Sequence, residues 1–321
     1  MGNLADAVRP FLVVGISRVT GRPQHSFGNW LVKGNYQFFD PVIDVARFRV
    51  HYSDGGMLDA VAYDINRFCM ASFESIAPIV PGSTLPRSTS WLGVRAYYSA
   101  YYAALSLLRI FGVILTRIEE ESAVQLATVA GLYSELHVSH IESGLYQITI
   151  DTARDRLDMA KREPRGGAHA ALWTAFRDLI RRLSEGIIER TSQESPDRTV
   201  VSKLDEFARS LAISGRPPYW LSDTRNTINY QLRLGAWYPY HGRNTTFANA
   251  MFRAAKMWEN DPMSIDVRAG SAEDFGAFLR CCCFVVSMAR EVVLDIVEST
   301  EGRSFLHYGV RELLAQIRGV A

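Results

Sequence analysis

Between Trp220 and His241 the chain gathers an arginine, two asparagines, a tyrosine and a histidine, namely Arg225, Asn226, Asn229, Tyr230 and His241. A guanidinium presents a two-pronged fork to phosphate or carboxylate oxygens, and amide and phenol groups beside it add donors of defined direction. On a helix Arg225 and Asn229 are four residues apart and share a face, with Asn226 and Tyr230 flanking it. A cluster of this kind can hold a phosphate or a carboxylate. The alternative is an exposed, capped helix whose polar face is simply solvated, with Arg225 in an ordinary ion pair with Asp223.

The elements needed to position these groups are legible nearby. Pro217 and Pro218 end one element, and Ser222 or Asp223 can cap the next, which puts Arg225 in the first helical turn. The helix dipole disfavours a cation there, so the placement calls for a compensating anion. A bend at Gly235 or Pro239 would return His241 toward the same place. A second helix is expected from one of Ser88, Thr89 or Ser90 to Gly112, carrying Tyr97, Tyr98, Tyr101 and Tyr102. Four tyrosines on so apolar a helix predict buried rings with hydroxyls reaching partners at an edge. Arg95 and Arg109 on that helix can point at the Arg225 cleft, and Arg95, Tyr98, Tyr102 and Asn229 are the substrate-binding candidates.

These two stretches resemble the HEPN superfamily, named for higher eukaryotes and prokaryotes nucleotide-binding. Its helical domains carry an early Tyr-Tyr, Ala-rich, Leu-Leu helix ending at Gly, as Tyr97-Tyr98 through Gly112 do here. A later helix bears an Arg, then a polar residue, then a His after four to six intervening residues. Arg225 and Asn226 match the first two places, while Tyr230 stands at the His place. The resemblance spans Arg87 to Gly319. It implies an RNA endonuclease of the toxin or antiphage-defence kind that needs neither metal nor cofactor, with Arg225 on the scissile phosphate. Tyr230 would then orient the phosphate, or His241 would serve as base. A phenol of pKa about 10 is only roughly a thousandth ionised at neutral pH, which makes Tyr230 a poor base. The other implied reading is a catalytically inactive HEPN-like subunit that binds RNA or nucleotide, or docks a protein of the same system. Homodimers that pair two motifs in one groove are implied in either case.

The remainder of the 321 residues frames this site. A hydrophobic share of 48% with 21% charged residues predicts an ordered globular chain, and the net charge of +1 leaves any RNA contact to a local basic patch. Cys69 and the run Cys281-Cys282-Cys283 lack metal-ligand spacing and read as small core residues in a reducing compartment. No phosphate loop, zinc-type cysteine pair or nucleophile elbow is present, and no apolar run reaches bilayer length, so a cytoplasmic protein without membrane contact is expected. The fold class expected is mainly α, a HEPN-like bundle over residues 86–321 with a β-hairpin insertion, joined to a small α+β region over residues 1–85. Strands are predicted at Phe11 to Ile16 and Ala46 to Tyr52, and the hairpin at Leu136 to Ile150. Helices are predicted at Met57 to Ile79, Ile114 to Leu132, Ala168 to Thr191, Thr245 to Glu259, Glu273 to Ser299 and Phe305 to Ile317. The basic stretch Arg154 to Arg165 reads as a surface helix laced with ion pairs.

Overall fold

A computed structural model describes residues 3–39, 42, 44–53, 56–78, 89–133, 140–163, 166–212, 219–232, 245–268 and 274–320. In chain order the helices are α1 (Leu4–Val8), α2 (Phe27–Lys33), α3 (Gly56–Ile76), α4 (Ser90–Ile110), α5 (Glu120–Tyr133), α6 (Gly167–Arg190), α7 (Asp197–Ser210), α8 (Trp220–Asn229), α9 (Thr245–Ala255), α10 (Phe275–Ser299) and α11 (Val310–Val320). The strands are β1 (Arg47–His51), β2 (Val113–Ile118), β3 (Gly144–Asp151) and β4 (Arg156–Lys161), in one sheet of order β1-β4-β3-β2. Each pairing is antiparallel. The chain is thus mostly helical with one small antiparallel sheet, and among the described residues no helix is long and apolar enough to cross a membrane.

The tyrosine-rich α4 lies at the centre. Ala96, Tyr97, Ala100, Ala103, Ala104, Leu107 and Leu108 are fully buried, because α3, α6, α8 and α10 all pack on it. Small residues let α3 come close, and the polar ones among them satisfy each other: Ser99 Oγ donates to Ser72 O at 2.8 Å, and Cys69 Sγ lies 2.8 Å from Ser106 Oγ. On the far side Gly93 makes room for α8 and α10. A Cβ there would sit 2.7 Å from the Phe275 ring and 3.2 Å from Ile228 Cδ1. The N-terminal segment joins the same core, with β1 paired to β4 and α3 alongside α4. All four cysteines are buried and unpaired.

Several expectations need correction. Phe11 to Ile16 is not a strand: Pro10 lacks a donor, Gly15 sits at φ 91°, and the chain makes short 3-10 turns at Arg9–Phe11 and Ile16–Arg18. The helix expected from Ile114 begins as β2, since Gly112 turns the chain at φ 80° and a β-branched run follows; only from Glu120 does α5 start. The hairpin is displaced. Its strand from Leu145 is present as part of β3, but Ile141 to Ser143 are not in a strand, and residues 136–139 lie outside those described. The hairpin partner is β4, the basic stretch expected to be helical, reached through a turn with Asp155 at φ 46°. Alternation of Leu157 and Met159 inward with Arg156 and Asp158 outward is the strand pattern that the dense charges obscured. Past α9, Met257–Glu259 tightens into a 3-10 turn.

Candidate functional site

Helix α8 starts at Trp220, three or four residues earlier than a cap at Ser222 or Asp223 anticipates, with Tyr219 before it making no side-chain cap. Trp220 sets that start: its ring is buried against Phe278, and its Nε1 donates to Ser210 O at 2.5 Å. Arg225 is therefore the sixth helical residue, beyond the reach of the N-terminal amides, and the dipole argument for an anion at that end does not apply. Nor is Arg225 on an exposed face. It is 5% exposed, with its guanidinium carbon 5.1 Å from the Tyr97 ring centre, 5.6 Å from that of Tyr98 and 5.8 Å from that of Tyr230. Cation–π attraction in such a desolvated cage contributes about 1–2 kcal/mol per favourable face. The polar edges are less well served. Arg225 Nη1 is 3.5 Å from Tyr230 Oη, its buried Nε has no hydrogen-bond partner, and no carboxylate partner is found for it among the described residues.

A histidine shares this cage, but it comes from α6. Tyr97 Oη lies 2.8 Å from His169 Nδ1 and accepts from Trp173 Nε1 at 3.2 Å. The imidazole is 4.6 Å from the Tyr101 ring and 6.2 Å from that of Tyr98. Burial, and then the charge of Arg225, push the His169 pKa down to about 4, so the ring is neutral at pH 7. Its place in the first turn of α6, at the positive end of the helix, acts in the same direction. Burial pushes the Tyr97 phenol up to about 12, against the opposing influence of Trp173, Ser222 and Arg225. Tyr97 is thus a neutral hydroxyl that holds the histidine through Nδ1, as donor or as acceptor according to the imidazole tautomer.

The structure unites only some of the predicted residues. Arg225, Tyr98 and Tyr230 form the cage together, and Tyr102 adjoins it through Tyr98 while stacking on Phe68 of α3 at 6.4 Å. Asn226 and Asn229 are half-buried on α8, and Asn226 O accepts from Tyr230 N at 2.9 Å. Arg95 points away from the cage: its Nε donates to Ser75 O at 3.0 Å. Arg109, 2% exposed, is at the opposite end of α4, 3.6 Å from Asp64 and 4.6 Å from the Phe68 ring centre, so it does not face the cleft either. His241 lies outside the described residues.

Sequence reasoning missed His169, Trp173 and the leading part of Tyr97. The available signal was the His169–Trp173 spacing of four on α6, one helical face carrying an imidazole and an indole N–H for the tyrosines to meet. Among the described residues no group of three or more His, Cys, Asp or Glu side chains is placed to hold a metal ion. No protein-family model, curated protein or solved structure matches this chain.

Proposed function

We propose that the chain is a HEPN-like ribonuclease of a toxin or antiphage-defence system, in which Arg225 binds the scissile phosphate and His169 of α6 takes the role of the motif histidine. The observation that carries this reading is a neutral imidazole, oriented by Tyr97, beside a buried arginine whose Nε lacks a partner. This mechanism requires the tautomer with Nδ1–H donating to Tyr97, in which His169 Nε2 holds the lone pair of a general base. It takes the proton of a 2′-hydroxyl, whose oxygen attacks the adjacent phosphorus. The 5′-oxygen leaves and receives a proton from the imidazolium, giving a 2′,3′-cyclic phosphate and a 5′-hydroxyl. Arg225 stabilises the charge that develops on the phosphate oxygens, an interaction far stronger in a dry cage than in water. Tyr230, 71% exposed, is the outer wall of that cage, and in the proposed mechanism its ring moves aside to open the guanidinium to substrate. Homodimerisation belongs to the same proposal.

The near-complete burial of Arg225 favours one second reading, a catalytically inactive HEPN-like subunit that binds RNA or nucleotide or docks a partner protein. The two separate on incubation of purified protein with single-stranded RNA in EDTA. Cyclic-phosphate ends that require both Arg225 and His169 support the ribonuclease. Binding without cleavage supports the inactive subunit.

A further inference from the structure

Away from this cage, the sheet turns one face outward, and its residue types are unusual for a merely solvated surface. Strand alternation sends Phe48 and Val50 of β1 and Leu157 and Met159 of β4 into the core, and presents Arg47 and Arg49, then Arg156 and Asp158, on the other side. Gln147 and Thr149 of β3 continue the row. A concavity of about 720 Å³ lies over this face, and among the described residues Arg47, Arg49, Arg156 and Arg162 line it together with Asp44 and Asp158. In a chain of net charge +1 this is a local positive field.

The arginines are held ready. Arg49 Nε is 3.2 Å from Asp158, Arg156 Nη2 bridges Asp151 at 3.2 Å and Asp158 at 3.1 Å, and Arg162 Nη2 donates to Gln147 at 2.9 Å. Arg156 Nε is buried with no hydrogen-bond partner. Exposed Arg47 has no ion pair among the described residues. An aromatic platform adjoins the field. Gln37 pairs with His51 through two backbone hydrogen bonds of 2.8 Å, so that Phe38 turns inward and Phe39 outward. Phe39 is 66% exposed, and its ring lies 4.5 Å from that of His51, which is opposite Arg156 in the sheet.

We propose that this face binds single-stranded nucleic acid, with phosphates on the arginines and a base stacked on Phe39. The combination of a positive groove with an exposed π-face is the chemistry such strands need, and an acidic peptide would use the charges but not the ring. The site is independent of the Arg225 cage, and its test uses DNA, which lacks the 2′-hydroxyl and is not cut by 2′-oxygen attack. Fluorescence anisotropy of a labelled oligothymidylate is measured with the full chain between about 50 and 200 mM salt. Binding is expected to weaken with salt. Arg47→Glu with Arg162→Glu should reduce affinity at least tenfold and flatten the salt slope by roughly 0.7 for each phosphate that the variant no longer neutralises. Phe39→Ala should weaken binding about fivefold or more with the slope unchanged. All three side chains are exposed, and unchanged melting curves confirm that the variants fold. No binding by the parent chain, or binding unaffected by the arginine changes, overturns the proposal. Displacement by polyglutamate together with a neutral Phe39→Ala also overturns it and assigns the face to an acidic peptide.

Discussion

Replacing His169 by glutamine should change how stability depends on pH in one calculable direction. In the folded chain His169 keeps its neutral form down to about pH 4, whereas in the unfolded chain it titrates near 6.5. Between these values the unfolded state binds the extra proton, so the histidine destabilises the fold progressively as pH falls from 6.5 to 4 and has no such effect above 6.5. The full shift would correspond to about 3 kcal/mol at 1.36 kcal/mol per pH unit. His169 is only partly buried, and screening by solvent reduces this to about 1–2 kcal/mol. Urea denaturation of parent and His169→Gln proteins at a series of pH values reads the effect as a difference. At pH 8 the variant should be the less stable, by about 1 kcal/mol for the weakened contact to Tyr97. At about pH 4.5 the difference should have moved toward the variant by about 1–2 kcal/mol. A difference independent of pH, or an NMR titration placing His169 near 6.5, would refute the picture of a neutral imidazole in an aromatic cage with Arg225.

Other outcomes follow from the same contacts. Arg225→Met keeps an unbranched stem between the tyrosine rings and removes a buried charge with an unpartnered Nε; that relief offsets the lost cation–π attraction, so stability by urea denaturation should stay within about 1 kcal/mol of the parent while RNA cleavage is lost. Tyr97→Phe leaves the buried Trp173 N–H without its acceptor and His169 without its anchor. It should cost about 1–3 kcal/mol in thermal or urea unfolding and slow any cleavage. Asp64→Leu strands Arg109 in the core and should cost about 3–5 kcal/mol, visible as loss of soluble protein or a large fall in the melting temperature.

The long helices were legible because their periodic apolar faces run for many turns. α3, α4, α6 and α10 fall within a few residues of where that pattern placed them. Helix ends were less so: a buried Trp220 outweighed the capping chemistry of Ser222 and Asp223 and moved Arg225 out of the first turn. In the sheet, β4 was hidden by charges that alternate in space with Leu157 and Met159, and β2 by following directly on a helix whose apolar run it continues. At the site, Arg225 and Tyr230 were found by their local spacing on α8 and at its end, and Tyr98 by its place on the tyrosine-rich helix. His169 lies more than fifty residues earlier than Arg225, on another helix. Its meeting with Tyr97 depends on how α6 packs against α4, which local periodicity does not encode.

Joint action of Arg225 and His169 on RNA is tested most directly by incubating the purified chain with a 5′-labelled single-stranded RNA in EDTA and identifying the product ends by mass spectrometry. The proposed mechanism predicts 2′,3′-cyclic phosphate ends from the parent protein, with an acid limb of the rate falling only near pH 4, and no such ends from Arg225→Met or His169→Gln. Intact RNA with the parent protein, or cyclic-phosphate ends formed at equal rates by the two variants, would contradict it.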